Sequence, residues 1–119
     1  MANTVVINGD NRKFTLSPDI KLYALIDAGF VKTPKGNYNY EHPLYNDSPY
    51  NAPTKLKMTV NKDLSHLTMV ITDRNGLQKV NIFKNKQLAP TVELLDYILK
   101  DLEERNILVP VKDWLHGRQ

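Results

Sequence analysis

The chain has 119 residues, is 41% hydrophobic and 24% charged, and carries a formal net charge of +3, the composition of one soluble globular domain spanning residues 1–119. It contains no cysteine, which excludes disulfides, a thiolate nucleophile, thiolate metal ligands and a persulfide or thioester carried on the chain itself. No apolar run is long enough for a membrane helix, and MANTVVINGDNRKF lacks the basic start and apolar stretch of a secretory signal, so the expected location is the cytoplasm.

Residues 3–8 (NTVVIN) and 13–16 (KFTL) are strand-like runs around Gly9-Asp10 and read as a hairpin. Ser17-Pro18-Asp19 has the residue types of a helix start, with Ser as cap and Pro at the first helical position. Residues 20–28 fit two periods. Ile20, Leu22, Ala24 and Ile26 alternate as a strand face, whereas Leu22, Leu25 and Ile26 fit a helix face; the expectation is a short helical turn followed by a strand. Gly29 to Thr33 and Asn37 to Tyr40, joined by Pro34-Lys35-Gly36, read as a second hairpin with Tyr38 and Tyr40 on one face. After His42, Pro43, Pro49 and Pro53 with scattered Asn and Asp predict an extended connection to about residue 53.

A meander follows. Lys55 to Val60 alternates, Leu64 to Asp73 is strand-like, Asn75-Gly76 is a two-residue hairpin turn, and Lys79 to Lys84 closes the pair. Residues 89–106 have helical period: Val92, Leu94, Leu95, Ile98, Leu99 and Leu102 share one arc, opposite a face of Glu and Asp on which Tyr97 also lies. Residues 107–111 form a short apolar run, and the tail carries Trp114, read as a plug for the tail or a recognition anchor. Strands followed by one late helix predict an α+β fold, mainly antiparallel sheet packed against a single long C-terminal helix.

Catalytic signatures are missing from the sequence. There is no Gly-rich phosphate loop and no nucleophile elbow, and His42, His66 and His116 show no metal-ligand spacing; no metal or cofactor is expected. Residues 1–62 carry 8 Lys/Arg against 5 Asp/Glu and residues 63–119 carry 8 of each, with the lysines dispersed rather than gathered into the stripe of a nucleic-acid binder. Asp27 is the carboxylate of most interest, because it stands between Ile26 and Ala28 in an otherwise apolar stretch. The densest feature is NYNYEHPLYNDSPYN, residues 37–51, which holds four of the six tyrosines. Three readings stand side by side. Tyr38 and Tyr40 pack a sheet face while Tyr45 and Tyr50 pin a loop. Alternatively, the tyrosines with His42 and Asp27 line a small-molecule pocket. In the third, the segment faces a partner. Asp27, Tyr38, Tyr40, His42, Tyr45 and Tyr50 are therefore the candidate ligand- or partner-binding residues.

LSPDIKLY, then AGFVKTPKGNYNYEHPLYNDSPYNAPTKLKMTVNKDLS, then NGLQKVNIFK together resemble a small family of uncharacterised proteins from lactic-acid bacteria and relatives, across essentially the whole chain. The resemblance implies a role in amino-acid metabolism and an α+β fold of two β-sheets packed on a single long helix, and it favours a strand near Leu22 to Asp27. It also implies a remote fold likeness to bacterial S-adenosylmethionine decarboxylases, which make a pyruvoyl group at a Glu-Ser step. This chain has no Glu-Ser dipeptide, since Ser17, Ser48 and Ser65 follow Leu, Asp and Leu. The family resemblance further implies a gene neighbourhood with a cysteine desulfurase and a tRNA thiolation enzyme, hence an accessory role in sulfur amino-acid metabolism. Without cysteine the chain cannot be the sulfur carrier. The first expectation is a non-catalytic accessory or binding protein, with a cysteine desulfurase or related enzyme as partner. A small-molecule binder or enzyme using residues 37–51 is the alternative, and nucleic-acid binding ranks third.

Overall fold

A computed structural model describes residues 3–111 of the chain. The element order is β1 (Phe14–Leu16), α1 (Leu22–Ala28), β2 (Val31–Lys32), β3 (Tyr38–Leu44), β4 (Thr54–Val60), β5 (Leu67–Asp73), a 3-10 turn (Lys86–Leu88), α2 (Ala89–Glu104) and β6 (Leu108–Pro110). Strands β2-β3-β4-β5 form one antiparallel sheet in that order, and β1 pairs with β6 in a second, two-stranded sheet. The α+β expectation of antiparallel sheets on a long C-terminal helix is met.

The four-stranded sheet follows from alternation. Leu56, Met58 and Val60 of β4 turn inward while Lys55, Lys57 and Thr59 turn outward, and Leu67, Met69 and Ile71 of β5 repeat the pattern. Register places Met58 opposite both Tyr40 and Met69, so the inner faces of three strands form one apolar layer. Helix α2 lays Leu95, Ile98, Leu99 and Leu102 into the same core, which Phe14, Leu16 and Leu108 of the small sheet extend. Each such fully buried leucine contributes roughly 1.5–3 kcal/mol of transfer free energy.

Several local expectations are corrected. Residues 22–28 form a helix, not a turn leading into a strand. The stop signal is Gly29 at φ 112°, with Gly29 N–H donating to Ile26 O at 3.1 Å and Phe30 N–H to Leu25 O at 3.0 Å, a Schellman ending. The sequence pattern alone assigns Gly29 to the following hairpin. Ser17 does not cap this helix: its Oγ accepts the Asp19 N–H at 3.1 Å in a separate turn, and the helix begins after the extended Lys21. Strand β3 also runs past His42 through Pro43 to Leu44, which shortens the predicted connection to residues 45–53. Pro43 is tolerated because β2 pairs only with Tyr38 and Asn39, leaving no strand on that flank further along.

Finally, residues 79–84 form no strand beyond a single bridge between Thr72 and Lys79. A side chain occupies the strand's place. The Asn8 amide accepts Ile71 N–H at 2.9 Å and donates to Ile71 O at 3.2 Å and Val80 O at 2.7 Å. Asn3 does the same further back along β5, accepting Leu67 N–H and donating to Leu67 O, both at 2.8 Å. The first predicted hairpin is correspondingly reduced to one bridge, Val5 with Phe14, and β1 takes β6 as its partner. The Pro34–Gly36 hairpin turn forms as expected, whereas the two-residue Asn75-Gly76 turn does not: Asp73 N–H bonds to Gln78 O at 2.9 Å and Gly76 N–H to Asp73 O at 3.0 Å, which leaves residues 74–77 as a four-residue loop. Trp114 and His116 lie outside the described residues.

Candidate functional site

The tyrosine segment divides into two parts. Tyr38 and Tyr40 lie on the inner face of β3 and are buried, because alternation sends residues 38, 40 and 44 toward the core. Tyr40 stacks on Phe30 with ring centroids 4.9 Å apart, and His42 stands next along the same face, 6.3 Å from Tyr40. The His42 ring is held locally, its Nδ1 2.8 Å from Pro43 O. Tyr45 and Tyr50 belong to the 45–53 connection, where Tyr45 is half-buried and Tyr50 is 96% exposed. That connection is anchored by an asparagine the sequence did not single out: Asn46 donates to Gln87 O at 3.0 Å and accepts from the buried Thr91 hydroxyl.

Tyr40 brings distant parts of the chain together. Burial pushes its hydroxyl above the usual tyrosine value, and the negative charge of Asp101 on α2 adds to the rise while Arg105 opposes it. Arg105 is itself raised by its hydrogen bond to Asp101, Nε to Oδ2 at 2.9 Å, with the charge of Asp27 on α1 contributing. Asp27, Tyr40, Asp101 and Arg105 thus gather where α1, β3 and the end of α2 meet. Two of the four are sequence candidates. Asp101 and Arg105 are not, because the long helix reads as a solvated acidic face until the sheet is placed beside it. Gly29 lies against this group, and a Cβ at that position would stand 3.6 Å from the Tyr40 ring.

Three surface depressions stand out among the described residues, and none is lined by Asp27, Tyr38, Tyr40, His42, Tyr45 or Tyr50. Among the described residues no group of three or more His, Asp or Glu could hold a metal ion, and no helix is long and apolar enough to cross a membrane. What the region does present is apolar surface. Helix α1 turns Ala24 and Leu25 inward but leaves Leu22 48%, Tyr23 68% and Ile26 51% exposed, and Val31 on the short edge strand β2 is 67% exposed. The polar rim of this patch is the Asp27–Arg105–Asp101 group.

A family model described as "Putative amino acid metabolism" matches residues 1–109. The chain belongs to the DUF1831 family. A crystal structure of a DUF1831 family protein from Lactobacillus plantarum, at 1.20 Å resolution, is similar over 92% of this chain and 96% of that one, with 46% identity and a TM-score of 0.84. Among curated proteins none matches. The DUF1831 assignment agrees with the resemblance read from residues 16–84 and with a role in amino-acid metabolism.

Proposed function

We propose that this DUF1831 protein is a non-catalytic accessory protein of amino-acid metabolism that works by docking an enzyme through α1 and the β2 edge. The observation that carries the reading is the exposed apolar set Leu22, Tyr23, Ile26 and Val31. A seven-residue helix has little to gain from showing three large apolar side chains to water, and patches of this kind mark interaction sites. Tyrosine at such a patch supplies contact area with few rotatable bonds. The rim is polar and charged, as protein interfaces are.

Supporting this over catalysis, the clustered polar groups are already engaged with one another. Asp101 is bonded to Arg105, and Tyr40 is covered by Phe30. None of the three depressions that stand out among the described residues is lined by residues 37–51, which weighs against a pocket centred there. Base stacking on Tyr38 and Tyr40 lacks exposed rings. The lack of cysteine excludes a sulfur carrier and is compatible with a helper role, and a cysteine desulfurase or related amino-acid enzyme is the first partner to test.

The test is capture of a purified desulfurase on the immobilised chain, in parallel with Leu22→Asp and Ile26→Asp. Retention by the parent chain and loss by both variants supports the reading. Equal retention by all three, or none by the parent for this and related amino-acid enzymes, overturns it.

A further inference from the structure

A groove of about 760 Å³ opens where the start of β1, the end of β6 and the last turns of α2 meet. Its volume lies within the roughly 300–1,000 Å³ typical of small-molecule sites. The lining is chemically sorted: Phe14, Pro110 and Val111 are apolar, Arg12 and Lys13 are cationic, and Glu103 is anionic. None of these residues belongs to α1 or to the tyrosine segment.

The two cations differ in kind. Arg12 is clamped, its Nε 2.8 Å from Asp10 Oδ2 and its Nη1 2.8 Å from Asp96 Oδ1. Two carboxylates offset its charge and fix its plane, leaving the remaining guanidinium N–H groups as oriented donors. Lys13 and Glu103 form no ion pair among the described residues. They face one groove without having met. The Lys13 carbonyl accepts the Val111 N–H at 2.8 Å, so the cationic and apolar walls are tied together by backbone.

A lysine, a glutamate and an apolar wall around one groove suit a ligand that carries both charges on a short stem. A phosphate or a dicarboxylate would be repelled by Glu103, and a simple amine by Lys13. We propose that this groove binds a free α-amino acid as its zwitterion, the carboxylate on Lys13 and the remaining N–H groups of Arg12, the ammonium on Glu103, and the side chain along Pro110 and Val111. The site is separate from the docking face of α1, and either can exist without the other.

The experiment is heteronuclear NMR of the full chain titrated with each of the protein amino acids, with acetate and methylammonium as probes carrying one charge each. Saturating shifts at the amides of residues 11–14, 103 and 111 are expected for at least one amino acid at millimolar concentration, with smaller, non-saturating shifts for the single-charge probes. Lys13→Met and Glu103→Gln each weaken that binding by about tenfold or more while the spectrum stays dispersed. The proposal is overturned if no amino acid moves those amides, if both variants bind like the parent, or if acetate alone reproduces the effect, which would make the groove a plain anion site. Desulfurase capture reads residues of α1, none of which lines this groove, so the two proposals fail separately.

Discussion

Helix α2 turns five residues of its 16 into the core, Thr91, Leu95, Ile98, Leu99 and Leu102, whereas α1 turns in only Ala24 and Leu25 of its seven. Their endings are nonetheless alike. Each closes on a residue in the left-handed region, Gly29 at φ 112° and Asn106 at φ 62°, with the next residue's N–H reaching back five positions, Phe30 to Leu25 and Ile107 to Leu102, both at 3.0 Å. The difference lies in what holds the turns before that ending. Packing holds α2, so its sequence is written by the core. Helix α1 depends on Ala24, Leu25 and its glycine stop, and Leu22, Tyr23 and Ile26 stay exposed.

The largest expected effect falls on the packed helix. Leu99→Ala removes a side chain only 1% exposed and should destabilise by about 2–5 kcal/mol in chemical denaturation; a loss below about 1 kcal/mol would mean that α2 is not held by its packing. Next comes the ending of α1. Gly29→Ala forces a Cβ into the left-handed region and should cost about 1–2 kcal/mol, while Asn106→Gly should change stability by less than about 0.5 kcal/mol. Equal costs at the two ends would erase the contrast.

A third test uses Tyr40, which lies between the helices. Its pKa is raised in the fold, chiefly by burial and then by Asp101. The unfolded chain therefore loses this proton first as pH rises. The stabilisation is complete below the ordinary tyrosine value near 10 and declines above it, through the raised folded value. Tyr40→Phe should flatten the alkaline fall in melting temperature, and an unchanged slope would assign that fall to other groups. The smallest effect is expected on the bare face: Ile26→Ala should alter stability by less than about 0.5 kcal/mol. A drop of about 2 kcal/mol or more, as for a core residue, would show that this side chain serves the fold after all.

Much of this architecture was legible locally. Strands β3, β4 and β5 announce themselves by alternation, and α2 by an apolar arc that matches its buried side. Residues 20–28 were ambiguous because Leu22, Leu25 and Ile26 satisfy one period while Ile20, Leu22, Ala24 and Ile26 satisfy the other. The decisive residue, Gly29, sits one step past the segment. Residues 79–84 alternate convincingly, yet Val80 N–H still reaches Ile71 O, the ladder goes no further, and Asn8 steps in between Ile71 N–H and Val80 O. That contact spans 63 positions and has no local signature. The charged group around Tyr40 was half legible for the same reason: Asp27 and Tyr40 stood out by context, but Asp101 and Arg105 acquire meaning only when a helix far along the chain is laid beside the sheet. Likewise nothing in the spacing of Lys13 and Glu103 suggests a shared groove.

Open sheet margins invite copies of a chain to zip together, and both margins of this protein's main sheet are interrupted. On one side the two-residue β2, which bears Lys32, covers only the start of β3, and the uncovered part of β3 carries Pro43, which has no N–H to offer. On the other, Asn3 and Asn8 act as detached pieces of backbone, each primary amide offering the same donor and acceptor as a peptide group. Together with the backbone of residues 78–80, these two side chains occupy part of the β5 flank without presenting a further margin of their own. Of the apolar side chains in the exposed set, Leu22, Tyr23 and Ile26 stand on a helix, whose backbone bonds are internal, and only Val31 stands on a strand, one too short to serve as a long template for a neighbour.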